Sequence, residues 1–150
     1  MTEITTTVRQ VLERKGSVTH TVTPQTSVFD ALSLMAKHDI GAVVVTDSRG
    51  LVGIFTERDY ARKLVLKGLS SKDVTVGDMM TTPVTTVTSS EKVSQVMMIM
   101  TNRRFRHLPV VDDGHLAGII TIGDVVKTVI DEQEETIKQL ASYISGDLTA

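Results

Sequence analysis

Apolar and polar residues along this chain fall into two runs of the same order. A short β-rich stretch, Thr19 to Val22, precedes a segment in which Val28, Ala31, Leu32 and Met35 recur at helical spacing between Ser27 and His38. A branched apolar run, Ala42 to Thr46, is separated from a second, Leu51 to Phe55, by the turn residues Asp47-Ser48-Arg49-Gly50, which predicts a hairpin. Helical spacing returns from Glu57 to Lys67 and stops at Gly68, a residue suited to a helix C-terminus. The order β-α-β-β-α then recurs with Val84 to Val87, Glu91 to Arg103, His107 to Val111, Leu116 to Ile120 and a helix opening near Gly123. Before the first copy lies a helical stretch, Val8 to Arg14. Before the second lie a polar connector, Ser70-Ser71-Lys72-Asp73, and a short turn from Val76 to Met80 that ends ahead of Pro83. The last helix runs on to about Ser145, with Val126, Ile130, Gln133, Ile137, Leu140 and Ile144 alternating at spacings of four and three. That stripe suits packing on the protein's own body and a dimer contact equally well. The acidic residues Asp131, Glu132, Glu134 and Glu135 read as a solvated helical face.

The repetition extends to residue identity. Residues 21–65 align with residues 86–130 without a gap, and 12 of the 45 pairs are identical, where ordinary amino-acid usage gives about three. The segment Gly53-Ile54-Phe55-Thr56-Glu57-Arg58-Asp59 returns as Gly118-Ile119-Ile120-Thr121-Ile122-Gly123-Asp124. A copy of about 60 residues has a marginal core by itself, so the two copies are expected to pack together. The expected fold class is α/β (α+β): tandem β-α-β-β-α units with pseudo-twofold symmetry and a ligand site between them, plus the extended C-terminal helix. The divisions expected are residues 8–68, a connector over 69–75, residues 76–130, and a helix extension and tail over 131–150.

Charge and composition narrow the function. A formal net charge of −2 provides no long-range field for gathering phosphate backbones, and five aromatic residues with no Trp leave little for stacking bases. The local patch Arg103, Arg104, Arg106 and His107 is too small to form a basic stripe, so nucleic acid is not expected as a partner. The absence of cysteine excludes disulfides, thiolate catalysis and Cys-ligated zinc. A polar N-terminal stretch and the lack of any long apolar run point to a cytoplasmic chain with no membrane partner. His20 and His38 are apart in sequence without partners at metal spacing, and the methionines, Met35, Met97, Met98 and Met100 among them, read as flexible core filling.

Each copy ends its second apolar run on Thr-x-x-Asp at the opening of a helix. A hydroxyl and free amides at a helix N-terminus favour an anion, and an Asp there can accept hydrogen bonds from two neighbouring sugar hydroxyls. The same residues also serve as simple caps, with Thr56 and Thr121 as N-caps and Asp59 and Asp124 complementing the helix dipole.

The hairpins, the paired Gly53 and Gly118, the Thr-x-x-Asp ends and Leu108-Pro109-Val110-Val111-Asp112 together resemble the CBS-domain family, over roughly Val8 to Ile130. The resemblance is to a stand-alone CBS pair. It implies a disc-like module whose clefts hold AMP, ADP, ATP, NAD(H) or S-adenosylmethionine, with the motif Asp on ribose, the motif Thr on ribose or phosphate, and strand residues, Pro109 among them, around the adenine. Asp59 with Thr56, and Asp124 with Thr121, match those positions. Arg106 and His107 stand where phosphate contacts are usual, whereas the first copy has Gly41 and Ala42. Arg58 stands before the first motif Asp and Gly123 before the second. The resemblance also implies that Lys15, Gly16 and Ser17 approach Asp124 and that Thr81 and Thr82 approach Asp59. The Asp124 cleft is expected to be the tighter, because Arg106 pairs with phosphate and His107 adds charge near neutral pH.

Three functions fit in different degrees. A regulatory sensor without catalytic cofactor, binding an adenine nucleotide and signalling to a separate effector protein, fits best, and the resemblance implies a homodimer. An enzyme is disfavoured because no nucleophile–base set, metal spacing or phosphate loop of the Gly-x-x-x-x-Gly-Lys type is present. A purely structural interaction module with empty clefts is the remaining alternative.

Overall fold

A computed structural model describes residues 4–16 and 18–145, with the side chains of residues 143–145 outside the description. Its elements run α1 (Val8–Lys15), β1 (Thr21–Val22), α2 (Val28–His38), β2 (Ala42–Asp47), β3 (Gly50–Thr56), α3 (Glu57–Lys63), α4 (Val76–Met79), α5 (Val93–Arg103), β4 (His107–Asp112), β5 (His115–Thr121) and α6 (Ile122–Ser145). The β-α-β-β-α order of the first copy is present, and the long last helix is there as the heptad spacing anticipates.

Local chemistry explains the boundaries. Thr7 and Gln10 cap α1 reciprocally: the Gln10 amide donates to the Thr7 hydroxyl at 3.3 Å and the Thr7 amide to the Gln10 side chain at 2.9 Å. Ser27 caps α2 through the Asp30 amide at 3.0 Å. The first hairpin turns where the Asp47 carboxylate accepts from the Arg49 amide at 2.7 Å, and Gly50 takes the positive φ of 104° that the turn requires.

The chain divides into two compact units. One consists of residues 17–86 with 109–118. Here β1 pairs parallel to β2, Thr21 opposite Val44, and β2 pairs antiparallel to β3, Val43 opposite Phe55, with a shift of register after Val45. The core joins Val22, Val28, Ala31, Met35, Val43, Val45, Phe55, Leu64 and Val76. The long helix anticipated from Glu57 to Lys67 is broken at the fully buried Leu64: α3 ends at Lys63, a 3-10 turn covers Val65–Lys67, and Gly68 closes it at φ 69°. His20 and His38, remote in sequence, are brought together by the β1–α2 connection and stack with ring centroids 3.8 Å apart.

The other unit consists of residues 1–16, 87–108 and 119–150. Thus α1, which precedes the first copy, clusters with α5 and α6 of the second, whereas α4, which precedes the second copy, clusters with the first. The Val8 and Arg9 amides donate to the Glu91 and Ser89 carbonyls at 2.9 Å each, and Val8, Val11, Val93, Val96, Ile120 and Val125 are buried. The strand expected over Val84 to Val87 is absent: only Val87 makes a bridge. The run starts behind Pro83, which cannot donate to a ladder, where the first copy has Val18, and the Thr88–Glu91 turn follows Val87 at once. That turn also delays α5 to Val93. Two further expectations fail here. Glu132 is not part of a solvated face, because its carboxylate accepts from the Thr6 amide at 3.1 Å and from the buried Thr6 hydroxyl. Met98 fills no core and is 64% exposed.

Candidate functional site

The two Thr-x-x-Asp motifs close their strands in the same way. In each, the first amide of the following helix donates back to the residue ahead of the hairpin: Glu57 to the Gly41 carbonyl at 3.0 Å, and Ile122 to the Arg106 carbonyl at 2.9 Å. These pairs are 65 residues apart, as the duplication requires. Each Thr and Asp also cap reciprocally. The Thr56 amide donates to Asp59 Oδ2 at 3.0 Å while the Asp59 amide donates to the Thr56 hydroxyl at 3.1 Å; the corresponding Thr121 and Asp124 distances are 2.9 and 3.2 Å. Capping and carboxylate presentation are therefore the same geometry rather than alternatives.

Beyond this shared frame the two sets differ. At Asp124, the Lys15 ammonium at the end of α1 lies 2.7 Å from Oδ2 and also donates to the Ile119 carbonyl at 2.8 Å. Oδ1 receives no hydrogen bond from a described residue. Gly16 follows at φ 88°, exposed, and Ser17 lies outside the described residues. Arg106 is exposed at the entry to β4, Gly123 is exposed in the first turn of α6, and Pro109 is buried within β4.

His107 is half-buried beside these groups. Its pKa is pushed below the usual 6.5 by burial first, then by Arg106 and Lys15, against a smaller pull upward from Asp124. The imidazole is consequently neutral at pH 7, which corrects the expectation that it brings charge; the cations here are Lys15 and Arg106. Because the unfolded chain binds the proton first as pH falls, this contribution to stability is complete above about pH 6.5 and is lost below it. His38 acts in the same direction, through desolvation, then His20 and Lys37. Melting temperatures should therefore fall between pH 7.5 and 5.5, and His107→Gln should flatten part of that fall; a variant curve parallel to wild type would contradict this.

At Asp59, Thr81 lies within reach because it bridges to Ile54, with amide–carbonyl distances of 2.8 and 3.1 Å. Its hydroxyl donates to Asp59 Oδ1 at 3.0 Å. Thr82 is exposed, Ala42 is buried opposite Thr56, and Arg58 is exposed on α3. One residue was missed by sequence reasoning: Lys63, one helical turn beyond Asp59, places its ammonium 3.1 Å from Oδ1 and 2.9 Å from the Met79 carbonyl. Its spacing of four from Asp59 was the available signal. Gly53, beside this set, allows Met80 to lie against β3: a Cβ there would fall 2.4 Å from the Met80 sulfur.

No group of three or more metal-ligating side chains occurs among the described residues, and no helix among them is long and apolar enough to cross a membrane. Apart from both motifs, the α5–α6 face carries an apolar groove of about 890 Å³ lined by Met97, Met98, Thr101, Val129 and Ile137 among others.

A family model described as CBS domain matches residues 8–66 and 76–131. The chain is 41% identical over 150 residues to the CBS domain-containing protein CBSX3, mitochondrial, of Arabidopsis thaliana, covering 94% of this chain and 73% of that protein. Among solved structures, the CBS domain pair of protein MJ0100 in complex with 5′-methylthioadenosine and S-adenosyl-L-methionine superposes with a TM-score of 0.75 at 28% identity, covering 85% of this chain and 98% of the other. CBSX2 in complex with AMP gives 0.65 at 33%, covering 77% and 90%.

Proposed function

The chain belongs to the CBS-domain family as two tandem repeats, and from that premise we propose that it is a non-catalytic regulatory module that binds a phosphate-bearing adenine nucleotide beside Asp124. The observation that carries this reading is the convergence of Asp124, Thr121 and Lys15 at one helix N-terminus, whose first amide is bonded by the Arg106 backbone carbonyl and whose neighbour His107 feels the Arg106 charge. Oδ1 of Asp124, which no described residue engages, is suited to ribose hydroxyls, and the Thr121 hydroxyl and the two cations are suited to phosphate. Relatives bind AMP in one case and S-adenosylmethionine in another. Charge favours the first class here, AMP, ADP, ATP or NAD(H), because Lys15 and Arg106 repel a sulfonium.

A bound phosphate would draw Lys15 from Asp124 and so bias the end of α1 relative to α6. Signalling requires that a partner distinguish the two arrangements, and a coupling of about 1 to 3 kcal/mol is typical. The partners we propose are a second copy of the chain, through the exposed apolar stripe of α6, and a separate effector protein.

A thermal-shift comparison tests the ligand class. AMP at a hundred times its dissociation constant adds about 2.7 kcal/mol, or roughly 5 to 10 °C for a chain of this size. Adenosine and S-adenosylmethionine at the same concentration should shift the melt by less than half as much. No shift with AMP, ADP, ATP or NAD(H) would favour the purely structural module, and a larger shift with S-adenosylmethionine would reject the phosphate role of the two cations.

A further inference from the structure

The two carboxylates differ in how much acceptor capacity the protein itself uses. Asp59 is 7% exposed and both its oxygens are taken: Oδ2 by the Thr56 amide and hydroxyl at 3.0 and 3.2 Å, Oδ1 by the Thr81 hydroxyl at 3.0 Å and the Lys63 ammonium at 3.1 Å. Four donors fill the lone-pair sites of a carboxylate. The Thr56 hydroxyl proton is spent on its own motif Asp. Among the described residues only Oδ2 of Asp124 is engaged, by the Thr121 amide and Lys15, and the Thr121 hydroxyl accepts from the Asp124 amide without donating to a described residue.

Lys63 is the origin of the difference. It reaches past Asp59 to the Met79 carbonyl at 2.9 Å and the Thr81 hydroxyl at 3.5 Å, and so ties α3 to the end of α4. Its counterpart in the second copy, 65 positions on, is Thr128. That side chain is buried and donates to the Asp124 backbone carbonyl at 2.9 Å, so it has no hydroxyl left for the carboxylate.

We propose that the repeats have divided their roles: the Asp124 set takes the nucleotide, and the Asp59 set is a latch in which Lys63 and Thr81 hold the acceptor positions a ribose would use, giving one nucleotide per chain. This rests on the nucleotide reading above and fixes its stoichiometry. A ribose at Asp59 must break a charge-assisted pair on a buried carboxylate, whereas a ribose at Asp124 meets an oxygen that no described residue engages.

Calorimetric titration of the full chain with AMP tests the division. One AMP per chain is expected, with Asp59→Asn and Lys63→Met each changing the dissociation constant by less than about threefold. Melting without nucleotide tests the latch: Lys63→Met should lose about 5 °C or more, against a much smaller loss for Lys15→Met. Two AMP per chain, or a tenfold loss of affinity in Asp59→Asn, would overturn the division of roles. Should Asp59→Asn not fold, wild-type stoichiometry and Lys63→Met still decide. If wild type binds no AMP, the nucleotide reading fails, and a Lys63→Met melt within about 1 °C of wild type would overturn the latch as well.

Discussion

Asp124→Asn should weaken adenosine binding by about 30- to 150-fold, with the fold intact. Hydrogen bonds to a charged partner contribute about 1.5 to 3 kcal/mol each. The amide that replaces the carboxylate keeps one acceptor oxygen but turns an NH₂ toward either the ribose hydroxyl or Lys15. A net loss of about 2 to 3 kcal/mol corresponds to that range of affinity. The fold survives because Asn can still accept from the Thr121 amide now held at 2.9 Å, so the cap of α6 persists. AMP should lose less than adenosine, since removing the negative charge relieves repulsion of its phosphate and releases Lys15, 2.7 Å away, to meet it. Arg106→Ala should show the reverse, with a clear loss for AMP and little for adenosine. Titration calorimetry of the four combinations reads the crossed pattern. Equal losses for both ligands in both variants would reject the separate ribose and phosphate assignments.

Features set by neighbouring residues were legible from sequence. The hairpin at Asp47–Gly50 and the caps at Thr56 and Thr121 depend on residues within four positions of one another, and all appear as hydrogen bonds of the expected kind. Two features set by the tertiary setting were not. Val84 to Val87 has the strand composition of its counterpart in the first copy but forms no strand, and it follows Pro83 where the first copy has Val18. The helical pattern from Glu57 to Lys67 breaks at Leu64, whose φ of −113° departs from helical geometry while its side chain sits in the core.

The candidate site divides along the same line. Thr-x-x-Asp is a local motif, so its reciprocal capping could be anticipated. That Lys15 meets Asp124, and that Thr81 meets Asp59, depends on which unit each preceding segment joins, and only the family resemblance pointed to it. Lys63 escaped because a cation four residues after an Asp ordinarily signals a solvated helix pair of small effect. Burial of Asp59 and the carbonyl at the end of α4 make it a fixed part of the set. His107 was misread as a charged group because burial and two cations outweigh one carboxylate, and no residue spacing reports burial.

Replacing Ile137 and Leu140 together by Glu should abolish the dimer proposed above while leaving AMP binding intact. The heptad stripe on α6 suited the protein's own body and a dimer contact equally well, and its Val126, Ile130, Ile137 and Leu140 are 48 to 64% exposed, whereas Val125 and Thr128 are buried. A stripe with alternating spacings of three and four is what a second helix packs against, and monomers rarely leave a large contiguous apolar patch in water. The adjoining groove brings Met97, Met98 and Val129 to the same face and widens the contact beyond a single helix. A second copy of this chain offers the matching stripe, and a twofold axis lets the patch pair with itself. Each buried Ile or Leu is worth about 1.5 to 3 kcal/mol, and by symmetry the double substitution removes four such side chains and introduces like charges. Dissociation should therefore increase by more than a hundredfold. Light scattering at micromolar concentration measures it. A wild-type monomer, or a double variant that remains dimeric, would remove α6 as the contact; AMP affinity that falls with the dimer would show that the nucleotide set depends on the second copy.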